Sequence, residues 1–337
     1  MVNMGKVVKD IKSIKIQGAT NIAKASIGAL LDFSKDFKIG ALPKISNGKI
    51  CNFLRATEIN ANKLAWARPD EPLNQNLLNL IMAQLARDKN KNVKKKIANF
   101  QKSCLETLDL IQKNEARITA NGISLVKKIY KKKKKPVLVF THCNSSSVFK
   151  ILIGARKEKI RFKVYNSETR PRFQGRIMAK NLVKKGIDVT MMTDSAAPFV
   201  ISKNDPDKIN IDLVIIGADV VGMDGSVLNK IGSYSLSLAA KSAGVPFYVA
   251  ASLLKARKDI DSYREIEIEK RDPTELWPSF AKATDGKQKG IKAINYAFDT
   301  VPPEYTKKLI TEFGILKPGK VKKAAMKNYK EIFKNKH

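Results

Sequence analysis

A thiol and a run of hydroxyl groups follow directly after a short apolar stretch of the chain. Residues 137–140 are VLVF, and residues 141–147 are THCNSSS. If the apolar stretch is a strand followed by a helix, backbone N–H groups and serine hydroxyls at the helix start can hold a phosphate. The serines concerned are Ser145, Ser146 and Ser147. The same helix start would lower the pKa of Cys143 and favour its thiolate, although such a cysteine can also be a small buried side chain.

Acidic and basic side chains follow two further apolar stretches. Asp219 comes soon after one of them, where a carboxyl group can transfer a proton or can cap a helix. Asn229 and Lys230 follow in the same region, and Lys255 comes after the next apolar stretch. An amide and two ammonium groups suit the hydroxyl and phosphate groups of a sugar phosphate.

Sequence signatures of several other chemistries are absent. The chain has no Walker A phosphate loop, no GxGxxG dinucleotide turn and no GxSxG nucleophile elbow. It has two histidines and three cysteines without paired spacing, so neither a disulfide framework nor a metal site is expected. The remaining groups are a thiol, carboxyl groups and anion-binding side chains. They suit isomerisation of a phosphorylated sugar without a cofactor.

The elements that would position these groups are predicted by the hydrophobic pattern. Short β-rich runs separated by segments of helical length predict a mainly parallel sheet with helices on both faces. The runs predicted as strands are 137–140, 162–165, 189–192, 213–216 and 247–250. Ligands of such sheets lie at the carboxyl ends of the strands, where Glu168 and Arg170 are expected to form an ion pair. Residues 297–314 are expected to form loops and a final helix.

The first part of the chain has a helical pattern. Apolar residues recur at three- and four-residue spacing in segments 21–33, 74–85 and 95–111. The predicted fold class is therefore α/β, with a helical N-terminal domain (1–130) before the sheet domain (131–318). A basic C-terminal tail (319–337) is expected to follow.

The formal net charge of +33 comes from 64 Lys and Arg against 31 Asp and Glu. Such a charge attracts phosphorylated metabolites, nucleic acid and acidic proteins, although a general lysine bias of the surface would also produce it. Seven lysines lie between Lys127 and Lys135, where a charged, solvated connector is expected. Because the excess is spread along the chain, nucleic acid is the less favoured partner. Neither a signal peptide nor a membrane span is visible, so a cytoplasmic protein without a membrane partner is expected.

The order of the short motifs resembles one family. The motifs are THCNSS (141–146), ETRPRFQG (168–175), DSA (194–196), GAD (217–219), NKIG (229–232), KRDP (270–273), AFD (297–299) and LITEFG (309–314). They resemble the superfamily that joins the alpha, beta and delta subunits of translation initiation factor 2B to two sugar-phosphate isomerases. The resemblance implies a Rossmann-like C-terminal domain, homo-oligomers such as dimers or hexamers, and Cys143 and Asp219 as the catalytic pair.

Within this superfamily the chain is most similar to the archaeal isomerases that convert ribose 1,5-bisphosphate to ribulose 1,5-bisphosphate in AMP salvage. Segments 16–25 (IQGATNIAKA) and 67–73 (ARPDEPL) are similar to their phosphate-binding segments. The resemblance implies ligand contacts from Gln17, Gly18, Ala19, Thr20, Arg68, Ser145, Ser146, Ser147, Asn229, Lys230 and Lys255. Gln17 stands where the family has an arginine, so one phosphate site has one cation fewer. A nucleotide activator such as AMP is a further implied partner.

The expected mechanism begins with opening of the sugar ring. A protonated Asp219 would donate to the ring oxygen, and a Cys143 thiolate would take the proton from carbon 2. Hydride transfer between carbons 1 and 2 is the alternative route. Three other functions stay open: a regulatory subunit that binds a sugar phosphate or nucleotide without catalysis, a methylthioribose-1-phosphate isomerase, and an RNA-binding protein.

Overall fold

The computed structural model describes residues 4–37, 48–260, 262–265, 268–277 and 292–333. By its internal contacts the chain divides into two units. The first contains the chain up to Asn114, residues Leu254–Ala256 and the chain from Ala325 onward. The second contains Glu115–Leu253 and Arg257–Ala324. The domain boundary at residue 130 that the sequence suggested stays a prediction.

The first unit is helical, as the spacing of its apolar residues predicts. Its helices are α1 (Met4–Lys12), α2 (Ala19–Asp36), α3 (Gly48–Ala65), α4 (Pro72–Arg87) and the first part of α5 (Val93–Lys133). Its most deeply buried side chains include Ile22, Leu30, Phe53, Leu77 and Phe100. The rings of Phe53 and Phe100 meet edge to face with their centroids 5.7 Å apart. Such a pair adds to the stabilisation that comes from the area the two rings bury.

Helix α5 is 41 residues long and includes most of the lysine-rich segment. The prediction of a connector at Lys127–Lys135 is therefore wrong for the residues up to Lys133, which belong to the helix. The reason is a helical apolar face that continues among the lysines. Leu125 and Val126 are buried, and Ile129 and Tyr130 pack against the same core. The lysines thus occupy the solvent side of a helix, and the helix ends before Lys134, whose φ is 56°.

The C-terminal segment, for which the sequence predicts a basic tail, is largely helical in its described part. It contains α10 (Val321–Asn328) and α11 (Lys330–Phe333). Val321, Ala325, Tyr329 and Phe333 recur every four residues and are all buried. This spacing forms an apolar stripe between the lysines. In the first unit Tyr329 pairs with Asn114, with 2.6 Å between the tyrosine oxygen and Asn114 Nδ2.

The second unit is built around a seven-stranded sheet with the strand order β11-β10-β7-β4-β1-β2-β3. Its strands are β1 (Val137–Thr141), β2 (Phe162–Ser167), β3 (Val189–Met192), β4 (Leu213–Ile216), β7 (Phe247–Ala250), β10 (Lys308–Thr311) and β11 (Gly314–Leu316). Every neighbouring pair is parallel except β10 and β11. The five strands predicted from the sequence are confirmed, and so is the α/β fold class.

Both faces of the sheet are covered. Val139 and Phe140 are adjacent in β1 and point to opposite faces, yet both are fully buried. Val214 and Ile215 show the same pattern in β4. The helices between the strands are α6 (Ser146–Lys157), α7 (Gln174–Val183), α8 (Ala196–Ile201) and α9 (Ser233–Ser242). Two-sided burial explains why these strands form unbroken apolar runs in the sequence.

A smaller sheet draws two of its strands from the chain between β4 and β7. It has the order β8-β5-β6-β9 and contains β5 (Val220–Gly222), β6 (Val227–Lys230), β8 (Ala256–Arg257) and β9 (Phe298–Val301). The expected loops and helix in 297–314 are therefore wrong, because this segment forms β9, β10 and the start of β11. Phe298 and Val301 are buried when β9 pairs with β6. In the parts of the chain described above, no helix is both long and apolar enough to cross a bilayer.

Replacing Phe333 with alanine should destabilise the protein by about 3 kcal/mol, because the ring is buried and its removal leaves a cavity. Chemical denaturation monitored by fluorescence or circular dichroism measures this change. Lys327→Ala, at an exposed position of α10, is the matched control and should change the free energy of unfolding by less than about 0.5 kcal/mol. Equal effects of the two substitutions would show that the segment is a loose tail.

Candidate active site

Cys143 lies in the loop between β1 and α6, and its side chain is half-buried. Its φ of 63° is in the left-handed region, which costs a non-glycine residue about 1 kcal/mol or more. The Cys143 N–H donates to Thr169 Oγ1 at 3.0 Å. Thr169 is itself held by Asp194, whose carboxylate accepts the N–H groups of Thr169 at 2.8 Å and Arg170 at 2.7 Å. The strained backbone at the thiol is therefore fixed by the loop that follows β2.

His142 joins this loop to the segment that contains Lys230. Its Nε2 lies 2.9 Å from the carbonyl oxygen of Ile231, so Nε2 carries the proton. Its Nδ1 lies 2.5 Å from Ser167 Oγ and accepts the hydroxyl proton. Burial lowers the pKa of His142 and keeps the ring neutral. The ring also lies close to Gly232, where a Cβ would be 3.3 Å from Nε2.

The loops after β1 and β4 approach each other at Gly217. A Cβ on Gly217 would lie 2.6 Å from Ser145 Oγ, a distance that excludes any side chain at that position without movement of Ser145. Ser145 caps α6, since its Oγ accepts from the N–H of Val148 at 3.4 Å. Ser146 and Ser147 form the first turn of the same helix. Asp219, two residues after Gly217, is half-buried.

Asn229 and Lys230 end strand β6, and both are buried. Asn229 Nδ2 donates to Ser233 Oγ at 2.8 Å, and that hydroxyl donates to the carbonyl oxygen of Lys230 at 2.7 Å. The Lys230 ammonium lies over the ring of Phe298, 4.3 Å from its centroid. Both side chains are thus held before any ligand arrives.

The electrostatic surroundings keep the Cys143 sulfur protonated. Burial raises the pKa of the thiol to about 11, the Asp219 and Asp194 charges also act to raise it, and Lys230 and the Asn144 N–H act to lower it. The expected thiolate with a lowered pKa is therefore wrong. Helix α6 begins three residues after Cys143, and the Cys143 N–H is turned toward Thr169. The helix start therefore lowers the pKa of the thiol by less than desolvation raises it. The charges of Asp219 and Lys230 both act on the thiol, so both groups lie near Cys143.

The other residues implied by the resemblance lie away from the thiol in the chain. Gly18, with a φ of 82°, precedes α2, and Gln17 before it is exposed. Ala19 is buried and Thr20 half-buried in the first turn of that helix. Arg68 lies between α3 and α4 and is half-buried, and Lys255 ends a short 3₁₀ helix at Leu253–Lys255. Ligand binding by these residues stays a prediction.

Two polar side chains of the second unit were not identified as site residues from the sequence. Gln174 opens α7, and its Oε1 is buried without a hydrogen-bond partner in the described part of the chain. Asp299 in β9 belongs to the AFD motif, but the motif alone assigns it no role. The expected pair of Glu168 and Arg170 is wrong, because Glu168 pairs with Arg176 at 2.6 Å. Arg176 lies in the first turn of α7, and the fold of the chain, not adjacency in the sequence, brings its side chain to Glu168.

The chemical groups around the thiol are two carboxyl groups, an ammonium group and serine hydroxyls, contributed by Asp219, Asp194, Lys230 and the start of α6. Over the described ranges, no three histidine, cysteine, aspartate or glutamate side chains are arranged to hold a metal ion. A carboxylate and a thiol can transfer protons, and the ammonium and hydroxyl groups can bind anions.

Comparison with known proteins places these features in a family. A model of the Initiation factor 2 subunit family matches residues 15–318. A ribose 1,5-bisphosphate isomerase from Methanocaldococcus jannaschii is 32% identical over 309 residues, which are 91% of this chain and 89% of the relative. A 5-deoxyribose 1-phosphate isomerase from Bacillus cereus is 31% identical over 320 residues, with 91% and 85% covered. The solved structure of 5-methylthioribose 1-phosphate isomerase from Pyrococcus horikoshii OT3 has a TM-score of 0.75 at 24% identity, covering 98% of this chain and 88% of that one.

Substitution of Lys230 by glutamine should raise the pKa of Cys143 above its value of about 11, because a positive charge that stabilises the thiolate is removed. The rate of alkylation by iodoacetamide between pH 8 and 10, with the labelled site identified by mass spectrometry, should fall relative to the parent protein. Lys241→Gln, at an exposed position of α9, is the control and should leave the rate unchanged. A rate that rises in Lys230→Gln would contradict the arrangement described above.

Proposed function

The chain belongs to the Initiation factor 2 subunit family, and from this premise we propose that it is a sugar-phosphate isomerase. The observation that carries the proposal is the convergence of Cys143, Asp219 and Lys230 at the carboxyl ends of β1, β4 and β6. The charges of the latter two both act on the thiol. The serine-capped start of α6 lies against the same loops, where it can bind a phosphate.

The substrate that we propose is ribose 1,5-bisphosphate, with ribulose 1,5-bisphosphate as the product. The 32% identical relative is named for this substrate and matches 91% of the chain. The reaction is an internal redox change, since carbon 2 is oxidised and carbon 1 is reduced within one molecule. It therefore needs an acid, a base and anion-binding groups, and no external oxidant.

The thiol state of Cys143 reverses the roles expected from the sequence. A neutral thiol with a pKa of about 11 can donate its proton to the ring oxygen as the bond from carbon 1 to that oxygen breaks. Asp219 then accepts the proton of the carbon 2 hydroxyl while the hydrogen on carbon 2 moves with its electron pair to carbon 1. In the enediol route Asp219 takes the carbon 2 proton instead and returns it to carbon 1, while the carbon 2 hydroxyl gives its proton to the Cys143 thiolate that ring opening left. In both routes Lys230 stabilises the negative charge of the phosphate or of the intermediate.

The role of the pair is tested by an assay for ketose formation from ribose 1,5-bisphosphate. Cys143→Ser and Asp219→Asn should each lower kcat by about 10²-fold or more, because each removes one proton-transfer group. Asp188→Asn, at an exposed position before β3, is the matched control and should keep the parent rate. Parent-like rates in Cys143→Ser or Asp219→Asn, with the fold intact by circular dichroism, would refute the assignment.

A monophosphate substrate is the second candidate. The Bacillus cereus relative is named for 5-deoxyribose 1-phosphate, and Gln17 is an exposed neutral residue where the family has an arginine. The same assay with ribose 1,5-bisphosphate, 5-deoxyribose 1-phosphate and methylthioribose 1-phosphate separates these substrates by their kcat/KM values. A chain that binds these compounds in thermal-shift experiments but converts none of them would be a regulatory factor.

Gln17→Arg should improve the use of a bisphosphate more than that of a monophosphate. The added guanidinium can form a charge-assisted hydrogen bond with the second phosphate, so KM for ribose 1,5-bisphosphate should fall about tenfold. KM for 5-deoxyribose 1-phosphate should stay unchanged. A parallel change for both substrates would show that residue 17 does not contact the second phosphate.

The proposal extends to assembly and regulation. We propose a homo-oligomer, a dimer or a hexamer, whose mass light scattering can measure. Activation by AMP is proposed as well, and addition of AMP to the ketose assay tests it.

A further inference from the structure

The AFD motif, residues 297–299, lies directly beside the segment 229–232. Strand β9 pairs antiparallel with β6, which places Asp299 opposite Asn229 and Phe298 opposite Lys230. The contact continues past the strands, because the N–H of Ile231 donates to the carbonyl oxygen of Ala297 at 3.1 Å. We call Ala297, Phe298 and Asp299 the AFD clamp. Its three residues contact consecutive parts of the segment that carries Lys230.

Phe298 provides a surface for the Lys230 ammonium. The ammonium nitrogen lies 4.3 Å from the ring centroid, and the two residues are 7% and 6% exposed for Lys230 and Phe298 respectively. A cation over an aromatic face is attracted by the ring, and the attraction is stronger where water is excluded. The ring therefore restricts the positions that the ammonium can take. The position it favours is one from which the charge reaches Cys143.

Asp299 holds the backbone on the other side of Lys230. Its Oδ2 accepts the N–H groups of Gly232 at 2.7 Å and Tyr234 at 3.1 Å, where α9 begins. Its Oδ1 is buried and has no hydrogen-bond partner in the described part of the chain. Burial raises the pKa of Asp299 to about 7, while the N–H groups of Tyr234 and Gly232 and the charge of Lys230 act to lower it. The carboxylate thus remains near Lys230 at a cost in desolvation.

We propose that Phe298 and Asp299 are positioning residues that act through Lys230 and hold its ammonium against Cys143 and the bound phosphate. The part of this inference that concerns the bound phosphate rests on the proposed isomerisation. The part that concerns the thiol does not, since it involves only the interaction between Lys230 and Cys143. Neither residue touches the reacting atoms in this arrangement, and both act by fixing the segment 229–232.

A merely structural role for the clamp would give a different result. A buried phenylalanine and a helix-capping aspartate stabilise many folds, and their loss would lower the melting temperature alone. The positioning role requires in addition that the pKa of the Cys143 thiol differs between the variant and the parent protein. The charged groups that act on Cys143 are Lys230, Asp219 and Asp194, and Phe298→Leu changes none of them directly.

The first test measures alkylation of Cys143 by iodoacetamide against pH in Phe298→Leu and Phe298→Met. Loss of the ring removes its attraction for the ammonium, which can then move away from the thiol, so the pKa of Cys143 should rise and its labelling at pH 8 should fall at least about threefold, which is about half a pKa unit. Phe298→Tyr retains the ring and should restore parent labelling. Phe247→Leu, at a buried phenylalanine that begins β7, is the control for a general loss of packing. Parent labelling in both Phe298→Leu and Phe298→Met would overturn the proposal.

The second test uses the ketose assay and Asp299→Asn. In the parent protein the clamp is charged above pH 7, so KM should rise as the pH falls through the pKa of Asp299 at about 7. Asp299→Asn should have a higher KM than the parent at pH 8, and that KM should depend less on pH between about 6 and 8 than the parent KM does, because only the substrate phosphates still titrate there. An unchanged KM profile would overturn the role of Asp299. If no sugar phosphate is converted, the proposed function fails, and the alkylation test still decides whether the clamp positions Lys230.

Discussion

The hydrogen bond from His142 Nε2 to the carbonyl of Ile231 joins two loops that are 89 positions apart in the chain. Cys143 directly follows the histidine, and Lys230 directly precedes the isoleucine, so this contact sets how near the ammonium lies to the thiol. Because burial keeps the ring neutral, the bond does not depend on a histidine charge. The capped start of α6, the left-handed Cys143 and the paired strands β6 and β9 all maintain the same spacing.

Much of this arrangement was predictable because strands buried on both faces leave unbroken apolar runs. Residues 137–140 and 213–216 are such runs, and the rule that ligands lie at their carboxyl ends indicates Cys143 and Asp219 as neighbours. The order of the motifs identified the family correctly, and the family model matches residues 15–318. Helices in the first unit followed from three- and four-residue spacing alone.

Other features depend on contacts that the linear pattern does not contain. The pKa of Cys143 is raised by dehydration within the folded loops, whereas the sequence indicates only a helix start nearby. The C-terminal segment is rich in lysine, and this composition obscured the buried apolar residue that recurs at every fourth position from Val321 to Phe333. Strand β9 was missed because it has only two buried apolar residues, Phe298 and Val301, and its pairing with the four-residue strand β6 cannot be read from the sequence.

The left-handed backbone of Cys143 places stability and chemistry in opposition. Glycine adopts this conformation without a steric penalty, whereas a cysteine in it costs about 1 kcal/mol or more. The contacts that hold this loop, among them the one from the Cys143 N–H to Thr169, therefore have to offset a local cost in backbone strain.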